Sequence, residues 1–546
     1  MQQKSAARYR ISLKPITNKP KFMTEAHLQI FTWPLLFLTR QHQLMFISCT
    51  LLFAIGGCTT LGPDFETPEV PAETNWQTDD TSLSAGPGEK AEWWKQFNDP
   101  VLDSLIQLAY QQNLPLQVAG LRIVEERARL GIAVGSRYPQ QQQLSGSAAA
   151  VGLSKNSPNF FPFADDSFND YQVGFDAAWE IDFWGRFSRG IEAAEAGLSA
   201  TVANYDNALV SLTAEVARVY VTIRTLEERL ALARANVALQ QESLRIARVR
   251  YDNGATTELD VQQATSNLAG TQALIPVLLK SLRQANHGLS ILLGMPPADL
   301  SGILNGVGAI PVAPSEVTVG IPADLLRRRP DVRQAERVAA SQSALIGVAR
   351  ADLFPSFSLT GFIGFQASNT GNSSAGDMLD RDSLIYSAGP SFRWNILNYG
   401  RLKNNVRIQD ARLQQDLVNY RNTVLIAYQE VEDAMVAFAQ SQNQSDFLAV
   451  SAQAAGRAVE IANIQYREGS ADFQRVIDSE RFLVAQQDQW TSSKGDIALN
   501  LIAMYKALGG GWEIRDGKDF ISDANRDAME QRTNWGDLLQ PADETR

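Results

Sequence analysis

The phrases WEIDFWGR at 179–186 and WNILNYGR at 394–401 are two spellings of one pattern, Trp-x6-Arg with Gly before the Arg, at an offset of 215 in numbering. The same offset aligns Glu215-Val216 with Glu430-Val431. It aligns Tyr251-Asp252-Asn253-Gly254 with Tyr466-Arg467-Glu468-Gly469, and Leu293-Gly294 with Leu508-Gly509. Tyr138-Pro139 meets Phe354-Pro355 at 216. Landmarks that share one spacing with few identities between them mark an internal duplication. The copies are placed at 93–300 and 301–512.

Each copy changes period at its phrase. Ahead of the first, Tyr171, Val173, Phe175, Ala177, Trp179 and Ile181 alternate with Gln172, Gly174, Asp176, Ala178, Glu180 and Asp182. Ahead of the second, Leu384, Tyr386, Ala388, Pro390, Phe392, Trp394 and Ile396 share one face. Such period-two runs, each with a partner strand before it (141–153 and 356–367), are long enough to cross a bilayer at a tilt. Aromatic residues at the strand ends favour that over a soluble hairpin. Behind each phrase the apolar and small positions step by three and four, through 194, 198, 202, 205 and 209 in the first copy and 413, 417, 420, 424 and 427 in the second. That is a heptad seam. No Pro interrupts 186–252 or 401–467, so each helix can reach about 100 Å at 1.5 Å per residue. Gly254 and Gly469 suit the left-handed position that ends a helix. Return helices follow at 257–291 and 473–506, and helices at 115–135 and 331–352 can stack end to end with them. The fold class is mixed α and β. Four strands are too few to close a barrel, for which eight is about the practical minimum. The edges must therefore pair with other copies of the chain, and three copies would supply twelve strands.

Composition narrows the chemistry. The 546 residues carry a net charge of −11, against a nucleic-acid surface, which would need clustered Lys and Arg. Beyond residue 60 no stretch is apolar for some 18 residues, so a membrane crossing would have to be a closed barrel. The two cysteines, Cys49 and Cys58, lie near the start, and of three histidines only His287 lies beyond the leader region. Nucleophile–His pairs and metal clusters are poorly supported, so no cofactor and no enzyme activity are expected. Asp176, Glu180 and Asp182, if they face a lumen, would give a water-filled passage some preference for cations.

Residues 45–58, MFISCTLLFAIGGC, follow Lys19, Lys21 and Arg40 as a short apolar core follows a basic region in an export signal. The ending Ile55-Gly56-Gly57-Cys58 resembles the bacterial lipobox. That resemblance implies cleavage before Cys58, a diacylglycerol on its sulfur and an acyl chain on its amine. The first 44 residues are long for such a signal, which suggests a true start further in. Residues 1–57 are thus read as the signal, 58–92 as a lipidated extended tether rich in Pro and Thr, and 513–546 as a polar acidic tail.

The segment 321–355, IPADLLRRRPDVRQAERVAASQSALIGVARADLFP, resembles the midsection of lipid-anchored TolC-like outer-membrane efflux factors, the OprM and NodT branch. The resemblance runs from about Trp93 to Trp512. It implies an outer-membrane homotrimer, a twelve-stranded β-barrel continued by a long periplasmic coiled-coil α-barrel, and two partners, a periplasmic adaptor and an inner-membrane pump. Pro322 and Asp324 are expected to open a short helix, and Arg327–Arg329 to pair with acids that hold the equatorial region. The resemblance also places the gate at the helical tips. Tyr466 and Gly469 match the inner-tip turn, Val476-Ile477-Asp478 the element after it, and Tyr251, Gly254 and Asp260 the outer tip. The family's lock uses an Arg two residues after the inner Gly, but this chain has Ala471 there, and the first constriction acid falls on Arg475. Asp478 is then the better-supported constriction residue, and Asp472, Arg467 and Arg475 are expected to rebuild a charged lock around Asp260. Tyr251, Gly254 and Gly469 are the expected adaptor contacts. A lipid-anchored coiled-coil scaffold without a pore is the alternative reading; it would want both faces of 171–181 polar.

Overall fold

The computed structural model describes residues 60–69, 75–78, 80–86, 91–156, 167–320, 327–370 and 373–540. The signal region, Cys58, and the expected short helix at Pro322–Asp324 lie outside these residues. A short β1 (Leu83–Ala85) and a 3-10 turn at Trp93–Phe97 lead to α1 (Pro100–Gln112) and α2 (Leu114–Gly135). Then come β2 (Gln141–Gly152), β3 (Ser167–Ile181), α3 (Arg186–Asp252) and α4 (Glu258–Leu292). After β4 (Val317–Val319), the second half runs α5 (Pro330–Ala351), β5 (Ser356–Ser368), β6 (Leu384–Arg393), α6 (Arg401–Arg467) and α7 (Phe473–Ala507). The 67-residue α3 and α6 begin and end at the offset of the repeat, as do the 35-residue α4 and α7. A small α8 (Asp523–Glu530) and a 3-10 turn at Gly536–Leu539 close the described chain.

One joint recurs in both halves. At the end of α4 the Asn113 amide donates to the Leu292 carbonyl at 2.9 Å, while its oxygen accepts from Leu116 N and caps α2. At the end of α7 the Arg329 guanidinium donates to the Ala507 carbonyl at 2.6 Å and sits at the start of α5. Each joint uses one side chain to satisfy an orphan carbonyl of one helix at the N-terminus of the next. That is how the short helices stack on the return helices. Arg329 also pairs with Asp331 at 2.8 Å and Glu430 at 2.6 Å, the structural role expected of this arginine cluster.

Strands β2-β3-β5-β6 form one antiparallel sheet with two unpaired edges. The register sets Leu144 opposite Phe175, Phe175 opposite Ile363, and Ile363 opposite Tyr386. Because side chains alternate along each strand, these rows join into one apolar face across all four strands. Asp170, Asp176, Glu180, Ser358, Thr360 and Arg393 occupy the other face. Phe362 is the exception on that side. Its ring lies across Gly174 and Gly364, so close that a Cβ at 174 would stand 2.5 Å from it.

At the sheet–helix junction Asp182 differs from expectation. Its carboxylate accepts from the backbone of Phe187 at 2.9 Å and Ser188 at 2.8 Å, and from the Ser188 hydroxyl. It therefore satisfies the first N–H groups of α3 rather than facing a passage, where a negative charge also complements the helix dipole. Leu397 holds the equivalent position in the second half and is exposed.

The tether is a strap rather than a free leash. Leu61 N donates to the Trp184 carbonyl at 3.2 Å, and Arg189, buried, binds the Leu61 carbonyl and Asp64. Gly62 presses on Gly347, with 2.6 Å between its hypothetical Cβ and the Gly347 backbone. Further on, Thr67 donates to Glu336, Thr78 to Glu432, and β1 pairs in parallel with β4. The largest core cluster gathers Trp93, Trp94, Leu105, Tyr220, Phe438, Leu501 and Tyr505 where α1, α3, α6 and α7 meet. The acidic tail also packs: Ile521, Met529 and Leu539 cover Val124 of α2, and the Arg515 guanidinium binds buried Asp206. No helix among the described residues is long and apolar enough to cross a membrane.

Candidate functional site

The two hairpin tips come together at the far end of the helices. Arg250 is in the last turn of α3 and Tyr466 in the last turn of α6. Both turns close through a left-handed glycine, Gly254 at φ +71° and Gly469 at φ +79°. The N–H after each glycine returns to a carbonyl five residues earlier, Ala255 to Arg250 at 2.8 Å and Ser470 to Gln465 at 2.9 Å. This is the Schellman closure that a helix end needs when its last carbonyls would otherwise be bare.

The turns are alike in backbone and opposite in environment. Tyr466 is 3% exposed, packed on Phe473 with ring centroids 4.9 Å apart, among Leu244, Ala247, Ala264, Val476 and Ile477. Its counterpart Tyr251 is 43% exposed. Burial pushes the Tyr466 phenol above its ordinary pKa, so it remains a donor throughout the physiological range. It donates to Asp260 at 3.3 Å, and Thr256 donates to the same carboxylate oxygen.

Arg250 completes the joint. Its guanidinium lies over the Tyr466 ring, 4.6 Å from the centroid, and donates to the Tyr466 carbonyl and, at 3.4 Å, to that of Arg467. A cation on the last carbonyls of α6 complements the negative end of that helix. Gly469 is required by its left-handed backbone rather than by space, since the Arg250 guanidinium would stand at ordinary contact distance, 3.7 Å, from a Cβ there. Asp260 is thus held by a phenol and a hydroxyl within one protomer. Arg467, Asp472 and Arg475 are exposed, and among the described residues none forms an ion pair with it. The expected charged lock around Asp260 is not assembled inside the chain. Asp478 is also exposed and accepts from Gln474, whose own oxygen accepts from Gln263 of α4 at 3.4 Å. Arg250 and Thr256 were missed by sequence reasoning; the pointer to Arg250 was a basic residue in a last helical turn.

Above the tips the hairpins touch along a polar seam. Arg229 grips Asp488 with two bonds of 2.7 and 2.9 Å, Lys494 pairs with Glu228, and Asn236 donates to Gln487 at 2.9 Å. Within each hairpin, by contrast, the packing is apolar: Leu226, Leu230 and Ala233 of α3 meet Leu278 of α4, and Ala455 and Val459 of α6 meet Leu483 of α7. Among the described residues no group of His, Cys, Asp and Glu is arranged to hold a metal ion.

The family model for outer membrane efflux proteins matches this chain over residues 105–295 and 321–510. The chain belongs to the outer membrane efflux protein family. Nodulation protein T of Rhizobium leguminosarum bv. trifolii is 29% identical over 462 residues, 84% of this chain and 95% of that protein. The probable outer membrane lipoprotein SilC of Salmonella typhimurium is 27% identical over 472 residues, 86% and 99% of the two chains. Among solved structures the outer-membrane channel OprN superposes with a TM-score of 0.78 at 32% identity, covering 83% of this chain and all of that one. The chain is an outer-membrane transport protein of the lipoprotein-containing efflux class, and its relatives are channels rather than enzymes.

Proposed function

We propose that three copies of this chain form a passive efflux duct: a twelve-stranded barrel in the outer membrane, continued into the periplasm by an α-barrel and shut at its tips. The observation that carries this reading is the four-stranded sheet, apolar on one face and polar on the other, with both edges unpaired. A sheet that meets lipid on one face must close its edges, and four strands cannot do so alone. Tyr399, 99% exposed beside exposed Ile396 and Leu397 at the base of the edge strand, supports a neighbour there, since its counterpart Trp184 stacks on Phe354. So does the apolar outer side of α6, where Leu425, Phe447 and Val450 are exposed. The duplication supports a wall of six alternating hairpins. The two stretches that the family model matches, 105–295 and 321–510, keep the offset of the repeat to within one position.

Cys58 carries the proposed lipid, and the strap supports this by pinning Thr60, two residues on, against Gly185 at the sheet–helix junction. More than one acyl chain anchors firmly where a single one does not. An adaptor and an inner-membrane pump complete the machine and supply energy and cargo, with the tips at Tyr251, Gly254 and Gly469 as their contact. The closure belongs to Tyr466, Asp260, Asp472, Arg475 and Asp478 together with Arg250. Cysteines introduced singly on β2 and on β6 test the assembly in outer membranes. The expected result is a covalent trimer only when both edges carry one; a chain that stays monomeric overturns the reading.

A further inference from the structure

One carboxylate has no place in the closure just described. Glu480, two residues after Asp478, is 2% exposed and points into the seam between the hairpins. Ser243 of α3 donates to one of its oxygens and Asn267 of α4 donates to the other at 3.0 Å. Asn267 is held in turn by Arg481, whose Nε donates to its side-chain oxygen at 3.1 Å. From α6, Asn463 stands 3.5 Å from the Ser243 hydroxyl. A single acid therefore ties α7 to both helices of the other hairpin.

Among the described residues no cation pairs with this acid. The charged residues within one turn of these contacts are Glu242, Arg245, Glu460, Arg467, Asp478 and Arg481. Glu242 pairs with Arg245, Glu460 with Arg457, and Asp478 with Gln474, while Arg467 is exposed and Arg481 is spent on Asn267. The turn of α4 around Asn267 carries no charged residue. One turn up α3, Gln240 is equally buried, and neither of its side-chain polar atoms has a protein partner. A buried polar layer that is only part satisfied holds poorly, because each unmet group costs what a lost hydrogen bond would.

We propose that Glu480 is a proton-operated latch between the two hairpins: protonated, it holds the seam packed; ionised, it loosens the seam and lets the inner hairpin part from the outer one. The direction follows from burial, which raises the Glu480 pKa against the lowering effect of its two hydrogen bonds. A group whose pKa is raised in the packed state stabilises that state fully at low pH, and the stabilisation is lost as pH rises through the raised value. The protonated acid can also donate where the carboxylate only accepts. This proposal rests on the reading of the helical end as the closure, but its first measurement does not.

Hydrogen exchange on the purified full-length protein in detergent reads the seam directly. Protection of 239–247 and 476–484, referenced to 205–221 in the same sample, is followed from pH 5 to 8 in the wild type and in Glu480→Gln. The wild type is expected to lose about tenfold in relative protection as pH rises, and Glu480→Gln to keep the low-pH value throughout. Should the variant fail to fold, the wild-type titration decides alone: relative protection independent of pH overturns the latch, as does an unaltered pH response in a folded variant. Conductance of the same samples in planar bilayers is the second arm. Protein that never conducts defeats the duct and leaves the exchange result standing, whereas a conducting wild type and Glu480→Gln with equal responses to tip-side pH defeat the latch alone.

Discussion

At the scale of single residues, the proposed closure pairs the buried tip at Tyr466 with the exposed tip at Tyr251. Tyr466→Phe removes the donor to Asp260 while keeping the ring, and should raise leak conductance of reconstituted trimers without lowering their yield. Loss of one hydrogen bond is worth about 0.5–1.5 kcal/mol, enough to change the open fraction by roughly two- to tenfold. Arg475→Glu should also raise the leak, now through repulsion between copies, because Arg475 is exposed and forms no ion pair among the described residues; unchanged conductance removes it from the closure. Part of this was legible beforehand. The turn motif at 466–469 pointed to Tyr466 and Gly469, which the structure places in one helix-ending turn, and Ala471 stands where the family's lock carries an Arg. What replaced it was not legible. Arg250 acts on a carbonyl in the other repeat, and nothing in its neighbours announces that contact.

Individual elements were the easiest part to foresee, since a heptad run without Pro allows little else than helix. The expected stop at Gly254 and the stacking of 115–135 and 331–352 on the return helices both appear. Capping was harder. Asp182 follows β3 directly, and continued alternation would turn it toward a passage, yet two orphan N–H groups at the start of α3 and the Ser188 hydroxyl claim it. Asp182→Ala should cost about 1 kcal/mol, measured as a lower melting temperature of the helical circular-dichroism signal. In the sheet, Gly174→Ala should destabilise the barrel by about 1–3 kcal/mol through overpacking against Phe362. Heat-modified migration on a gel checks this, and Phe362→Leu in the same chain should restore part of the loss.

For the whole molecule, the charge on the polar sheet face would set what passes through the proposed duct. Asp170, Asp176 and Glu180 lie on that face of β3 with Arg393 across the sheet, Arg186 pairs with Glu180 at 3.4 Å, and Asp182 no longer counts among them. Neutralising the three acids together should abolish cation preference, read as a reversal potential that moves toward zero in a salt gradient. The cargo was never written in this chain, because a passive wall needs polarity and width rather than recognition. The strap was also missed as structure: residues 58–92 read as an extended tether, whereas Thr60, Leu61, Gly62 and Asp64 dock against Gly185, Gly347 and Arg189 far along the sequence.

The unpaired edges of the four-stranded sheet have a consequence for inheritance. In the proposed trimer, a wall finished only by neighbouring copies cannot tolerate one misshapen member, so a defective allele expressed beside a sound one would be dominant. With equal supply of the two chains and random mixing, only about one assembly in eight would be free of the faulty product. Cells carrying both copies should therefore lose most of their export capacity rather than half.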